Sequence, residues 1–260
     1  MTDRMDRSER VATAFGRAPA YACAARVQRR IAATLADRIG GATRPARLRV
    51  LELGCGTGFL TEALLPHLTS AEWTISDLSP QMVERARTSL GPRIGTARWL
   101  PLDGERLDPA LGPFDLIVSS MAFQWFEDLP AAIGRLSAML APGGLLAFAT
   151  MADGSFREWT SVLGALGRPP ATPAYPTVAQ LEAMVPGDCV AAIDRVDFVD
   201  PQQDARSFLR DLKAIGAGTP AAGYRPLPPA LLREAMIRFD AGPRSITYAI
   251  AFCLLSVPRA

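Results

Sequence analysis

Residues 50–59 read VLELGCGTGF, an apolar run that leads directly into glycines at Gly54, Gly56 and Gly58. Consecutive apolar positions fit a strand buried on both faces. The glycines fit a backbone that turns sharply and passes close to a ligand, because only glycine combines unusual dihedrals with so close an approach. A helix is expected to start just beyond, near Phe59. Asp77 follows a second apolar run, residues 72–76, at about the 20-residue distance at which a carboxylate at a strand end takes ribose hydroxyls. Together these features describe a nucleoside site.

The spacing is G-x-G-x-G, whereas the dinucleotide fingerprint is G-x-G-x-x-G with a helix N-terminus facing a pyrophosphate. Glu52 sits just before the loop, where a carboxylate would repel a pyrophosphate but attract a cationic amino-acid portion. The string E-L-G-C-G-T-G, residues 52–58, resembles the first motif of class I S-adenosylmethionine-dependent methyltransferases. That resemblance implies an α/β, Rossmann-like, doubly wound and mostly parallel seven-stranded sheet with helical lid insertions. S-adenosyl-L-methionine is the implied cofactor and S-adenosyl-L-homocysteine its product.

With 260 residues, 49% of them hydrophobic and 21% charged, the chain can bury a large core, and one domain over residues 1–260 is expected. No run reaches the about 18 apolar residues of a membrane span; the longest candidate is residues 246–257. The arginine-rich start lacks an apolar signal core, so the expected location is cytoplasmic. Cys23, Cys55, Cys189 and Cys253 form no C-x-x-C pair, and His67 is the only histidine, so no metal site is expected. Cys55 reads as a small loop residue, since a nucleophilic thiol needs a partner base. Residues 1–50 hold eleven arginines against Asp3, Asp6, Glu9 and Asp37, in a chain whose net charge is only +2. This excess suits either a solvated helix or an acidic partner. Nucleic acid is not expected, because the basic stretch lacks interleaved aromatics.

A helix over residues 22–38 should end at Gly40 and Gly41, followed by a strand at 49–53 and a helix at 59–68. After the strand at 72–76, Ser79 is placed to cap a helix over 80–90 with Pro80 at its first position. Residues 114–119 form a buried strand and 129–140 an amphipathic helix. Ala141-Pro-Gly-Gly144 is a stop signal, and 145–150 is another apolar strand. Beyond Thr150, helices at 156–166 and 178–184 flank a proline-rich connection. A strand at 190–199, helices at 205–215 and 229–239, and a last strand at 246–257 complete the chain. Strands alternating with helices imply a parallel sheet. Residues 1–40 form a helical cap, and 201–243 a helical insertion expected over the carboxyl edge.

Within the methyltransferase class, the implied cofactor contacts are Glu52, Gly54, Cys55, Gly56, Gly58, Asp77, Leu78, Met82, Asp103, Gly104, Ser119 and Met121. Asp103 falls where the class commonly places a carboxylate for the adenine amino group. Phe114-Asp-Leu-Ile-Val-Ser119 resembles the fourth-strand motif, whose end faces the transferable methyl. Ser120, Gln124 and Trp125 follow it and are candidate acceptor contacts.

Outside those motifs, Ala14-Phe-Gly-Arg-Ala18, Tyr21, Gln28, Phe123-Gln-Trp125, Leu212-Lys-Ala-Ile-Gly-Ala217 and Ile246-Thr-Tyr248 resemble the malonyl-acyl-carrier-protein O-methyltransferase family of early biotin synthesis. The resemblance implies methyl transfer to the free carboxylate of a malonyl group carried by acyl carrier protein, with malonyl-CoA as the alternative acceptor. Such a carboxylate is already ionised near neutral pH and needs no general base. Arg17, Tyr21, Lys213 and Tyr248 are the candidates to orient it, with Tyr21 and Lys213 preferred as catalytic residues; Lys213 is the chain's only lysine. Arg26, Arg29 and Arg30 are the candidate surface for an acidic carrier. A methyltransferase for a free, aconitate-like acid or a natural product shares every cofactor motif, and a noncatalytic scaffold shares the fold.

Overall fold

A computed structural model describes residues 26–40, 47–169, 172–214 and 226–259. Its centre is a seven-stranded sheet in the order β3-β2-β1-β4-β5-β7-β6. The strands are β1 (Leu48–Leu53), β2 (Ala71–Asp77), β3 (Ala97–Pro101), β4 (Phe114–Ser120), β5 (Leu140–Met151), β6 (Val190–Pro201) and β7 (Ser245–Ser256). β1 to β5 pair in parallel, and β7 runs antiparallel between β5 and β6. From β1 the chain moves outward through β2 and β3, then returns to β4 on the other side of β1. A crevice therefore opens at the carboxyl ends of β1 and β4, where open α/β sheets bind ligands.

The helices are α1 (Arg26–Gly40), α2 (Phe59–Leu64), α3 (Pro80–Ile94), α4 (Leu129–Ala138), α5 (Arg157–Ala165), α6 (Val178–Glu182), α7 (Ala205–Ala214) and α8 (Pro229–Asp240). α1 buries Val27, Gln28, Ile31, Ala32, Leu35, Ala36 and Ile39, the three-and-four spacing of an amphipathic helix laid on a sheet. Its arginines staple that helix down. Arg26 pairs with Asp200 at 3.2 Å, and Arg29 pairs with Glu62 at 3.1 Å while lying over the Phe59 ring. Arg30 lies over Phe198, and Arg38 pairs with Asp194. The N-terminal surface expected to meet a carrier is thus largely engaged within the chain itself.

The sheet extends further than the apolar runs indicate. β3 has no counterpart among the expected strands, because as an edge strand it is only partly buried and ends on Pro101, which an edge tolerates. α2 stops at Leu64, before the expected residue 68: Leu65 is still helical, but Pro66 has no N–H to continue the hydrogen-bond ladder. Ala141-Pro-Gly-Gly144 does not end at a helix boundary. It forms an irregularity inside β5, where pairing jumps from Phe114↔Leu140 to Leu116↔Leu145. Ser79 does precede α3, but its hydroxyl meets Gln81 and caps no helical N–H.

Beyond β5, an aromatic cluster joins α5, α7 and α8 to β7. Trp159 meets Phe208 and Phe239 edge-on, both at 5.8 Å, and Phe156 meets Tyr248 at 5.1 Å. Among the described residues no helix is long and apolar enough to cross a membrane, and no cluster of three or more His, Cys, Asp or Glu could hold a metal.

Candidate functional site: an acidic cavity at the switch point

At the carboxyl ends of β1, β2 and β4 the backbone forms a cavity whose lip is the glycine loop. Gly54 and Gly56 hold φ at 68° and 54°, the left-handed region that favours glycine. The loop is pinned from below and from the side. Cys55 N donates to Ser76 O at 2.9 Å, and Gly56 N donates to Asp77 Oδ2 at 2.9 Å. Ser79 N donates to Asp77 Oδ1 at 2.8 Å, so the carboxylate that orders the loop also faces the cavity. Each of its oxygens keeps a lone pair for a ribose hydroxyl.

Glu52 is the most constrained charge in the site. It is 1% exposed, accepts a hydrogen bond from Thr61 Oγ1, and borders the cavity. Burial pushes its pKa up to about 7, against the pull of the Thr61 hydrogen bonds, with Asp77 nearby adding to the rise. Burial likewise raises Asp77, opposed by the two backbone donors. The Cys55 thiol is held well above its usual range by burial and by both carboxylates, which favours the protonated form.

Of the expected cofactor residues, Glu52, Gly54, Cys55, Gly56, Asp77, Leu78, Met82, Asp103, Gly104 and Met121 border the cavity, joined by Ser120 and Trp125 from the acceptor side. Four others do not. Gly58 is a packing position with φ at 92°, where an added Cβ would overlap Leu90 of α3. Ser119 is fully buried within β4, alternating with the cavity-facing Ser120. Gln124 braces the turn after β4 by donating to Met121 O at 2.7 Å. Tyr248 is packed against Phe156 within the aromatic cluster, and burial, reinforced by Asp200 and Asp211, raises its hydroxyl pKa. Arg17 and Tyr21 lie outside the described residues. Lys213 is in the last turn of α7, and its side chain also lies outside them.

Several lining residues are not among the expected site residues, including Gln28, Thr57, Phe59, Leu102 and Phe126. Gln28 had a signal, since a glutamine on the apolar face of α1, only 9% exposed, is out of place unless its amide serves a purpose. Leu102 and Phe126 sit in loops, where no periodicity marks a buried side.

The donor set fits S-adenosylmethionine. Glu52, Asp77, Asp103 and Glu105 line the cavity, and among the described lining residues there is no arginine, lysine or histidine. Such a site favours a ligand carrying an ammonium and a sulfonium over one carrying phosphates. Asp77 and Asp103 border the cavity on its polar side, and Leu78, Met82, Leu102 and Phe126 supply apolar walls.

A doubly wound sheet with this acidic, glycine-lipped cavity at its switch point defines a class I S-adenosylmethionine-dependent methyltransferase. A family described as Methyltransferase domain matches residues 51–146, and the plantazolicin methyltransferase BpumL, solved in complex with SAH, shares the fold with a TM-score of 0.54 at 15% identity, over 97% of this chain and 95% of that one. The chain belongs to the malonyl-[acyl-carrier protein] O-methyltransferase family: the Magnetococcus marinus member is 39% identical over 249 residues, 95% of this chain and 92% of that protein. The biotin biosynthesis bifunctional protein BioCD of Bordetella avium is 44% identical over 89% of this chain. The aligned region is 49% of that longer relative, so the chain spans about half its length.

Proposed function

We propose that this chain transfers the methyl group of S-adenosylmethionine to the free carboxylate of a malonyl thioester on acyl carrier protein, giving the malonyl methyl ester that starts pimeloyl assembly for biotin. The observation that carries the reading beyond family membership is the position of the single histidine. His67 follows α2 and faces Gly40 and Asp37 at the end of α1, and it is not among the cavity's lining residues. A histidine base is therefore not at hand, and an acceptor that arrives as a carboxylate needs none.

When bound, S-adenosylmethionine supplies an electrophilic methyl on a sulfonium. The chain's work is to align and to exclude water. Ser120, Met121 and Trp125 border the end of the cavity that follows β4. Anion and cation neutralise one another as the methyl moves, so a dry site helps provided no strong ion pair traps the carboxylate. Tyr21 and Lys213 are the proposed orienting groups. Tyr21→Phe and Lys213→Ala should each lower kcat/KM for the acceptor about 10- to 100-fold, the worth of one hydrogen bond to a charged group, while the melting temperature hardly moves. Unchanged kinetics in both variants would remove them from the site.

Mass spectrometry of malonyl-carrier protein incubated with the chain and S-adenosylmethionine tests the reaction, with acetyl-carrier protein, malonyl-CoA and free malonate alongside. A one-methyl gain on malonyl-carrier protein and not on acetyl-carrier protein is expected. Methylation of free malonate at the same efficiency would overturn the carrier-linked substrate.

A further inference from the structure

We propose that the solvent-facing basic stripe of α7, centred on Arg206 and Arg210, is the docking surface for the acidic carrier protein; this rests on the carrier-linked substrate proposed above. α7 is sharply two-sided. Ala205 and Phe208 are buried, the latter stacked on Phe239 at 6.0 Å. Arg206 and Arg210, four residues apart and hence on one face, are exposed.

The two arginines differ from those of α1, which are engaged by Asp200, Glu62, Asp194 and aromatic rings. Among the described residues neither Arg206 nor Arg210 has an ion-pair or hydrogen-bond partner. The nearby acids form no ion pair with either arginine, although Asp204, just before the helix, feels the charge of both. Asp204 accepts from Ser207 N at 2.6 Å and from its hydroxyl at 2.7 Å, and Asp211 lies 3.9 Å from Arg26. Two exposed guanidiniums at one helical spacing thus remain without an ion-pair or hydrogen-bond partner among the described residues.

Their place in the fold is the second argument. β6 pairs antiparallel with β7, which pairs antiparallel with β5, so β6 ends at the same carboxyl edge as the cavity. α7 starts four residues after that end and is tied there by Ala205 N donating to Asp240 Oδ1 at 2.7 Å. Asp211 connects the inner side of α7 to Arg26, at the start of the helix whose Gln28 lines the cavity. A carrier that delivers its acyl group on a flexible phosphodiester arm must dock at this rim. A cationic patch there steers an acidic protein and its arm phosphate without bringing a cation into the acidic cavity.

The test compares Arg206→Glu/Arg210→Glu with Arg98→Glu/Arg135→Glu, which makes the same charge change on β3 at the opposite end of the sheet order and on α4. For the α7 pair, the KM for malonyl-carrier protein should rise at least about 10-fold and become less salt-dependent, with kcat at saturation and SAH affinity within about twofold of the unaltered protein. The β3/α4 pair should leave KM within about twofold. An unchanged KM in the α7 pair, or an equal rise in both pairs, would overturn this surface. No methylation of malonyl-carrier protein by the unaltered chain would instead overturn the substrate reading, and the docking surface with it.

Discussion

Glu52→Gln is expected to weaken S-adenosylmethionine binding about 100-fold at pH 8 while making the ligand-free protein more stable there. The two effects have one cause. A carboxyl that is 1% exposed must shed its hydration to ionise, which is why its pKa sits at about 7. The ordinary value is 4.5, so the folded state holds the proton more tightly than the unfolded state does. For a raised carboxyl, the stability contribution is fully present below pH 4.5 and is lost as the pH climbs through 7, a loss on the order of 3 kcal/mol. Glutamine keeps an acceptor for Thr61 and has nothing to ionise. A cationic ligand reverses the sign, because the amino group of S-adenosylmethionine stabilises the ionised form. Affinity of the unaltered protein should therefore rise between about pH 6 and 8, with proton uptake by buffer when binding is measured near pH 6.5. Calorimetry in buffers of different ionisation enthalpy, on both proteins across that range, checks the pair of claims. A pH-independent affinity in the unaltered protein would remove Glu52 from the ligand's cationic end.

Residues 50–59 and Asp77 carried the central reading because the chemistry there is local. A strand, a turn with positive φ and a carboxylate one strand away are each written in a few consecutive residues. Asp77 even has two tasks, ordering the loop through Gly56 and presenting oxygens to the cavity. What local sequence conceals is direction. Ser119 and Ser120 are adjacent serines at the end of one strand, and only the pleat decides that the second faces the cavity. Gly58 looks like a third cofactor glycine, yet its φ of 92° and the packing of Leu90, more than thirty residues later, are what call for glycine there. The arginines of α1 read as free charge because their partners, Asp194 and Asp200, stand on β6, far along the chain. β3 was hidden because an edge strand need not show the apolar run of a central one.

Gly54→Ala should weaken cofactor binding severely, and the reason separates it from an ordinary glycine substitution. Its φ of 68° alone would cost a side chain about 1 kcal/mol, the same backbone cost expected at Gly167, where φ is 65° and nothing lies within 4 Å of an added Cβ. At Gly54 the new methyl also overlaps Ala122 Cβ, with Ala122 Cα at 3.8 Å, and neither neighbour is the tip of a flexible chain that can swing away. Either the loop lifts from Asp77, or the turn bearing Trp125 moves; both reshape the cavity. Binding should fall by more than about 100-fold, against less than about threefold for Gly167→Ala. Ala122→Gly removes the obstructing methyl, so Gly54→Ala/Ala122→Gly should recover at least about tenfold of the lost affinity, a coupling of about 1.4 kcal/mol or more. Titration of SAH into the unaltered protein, the three single variants and the double variant measures it. If Gly54→Ala proved no worse than Gly167→Ala, or if Ala122→Gly gave no recovery, close packing between the glycine loop and the turn after β4 would not be what fixes the cofactor's seat.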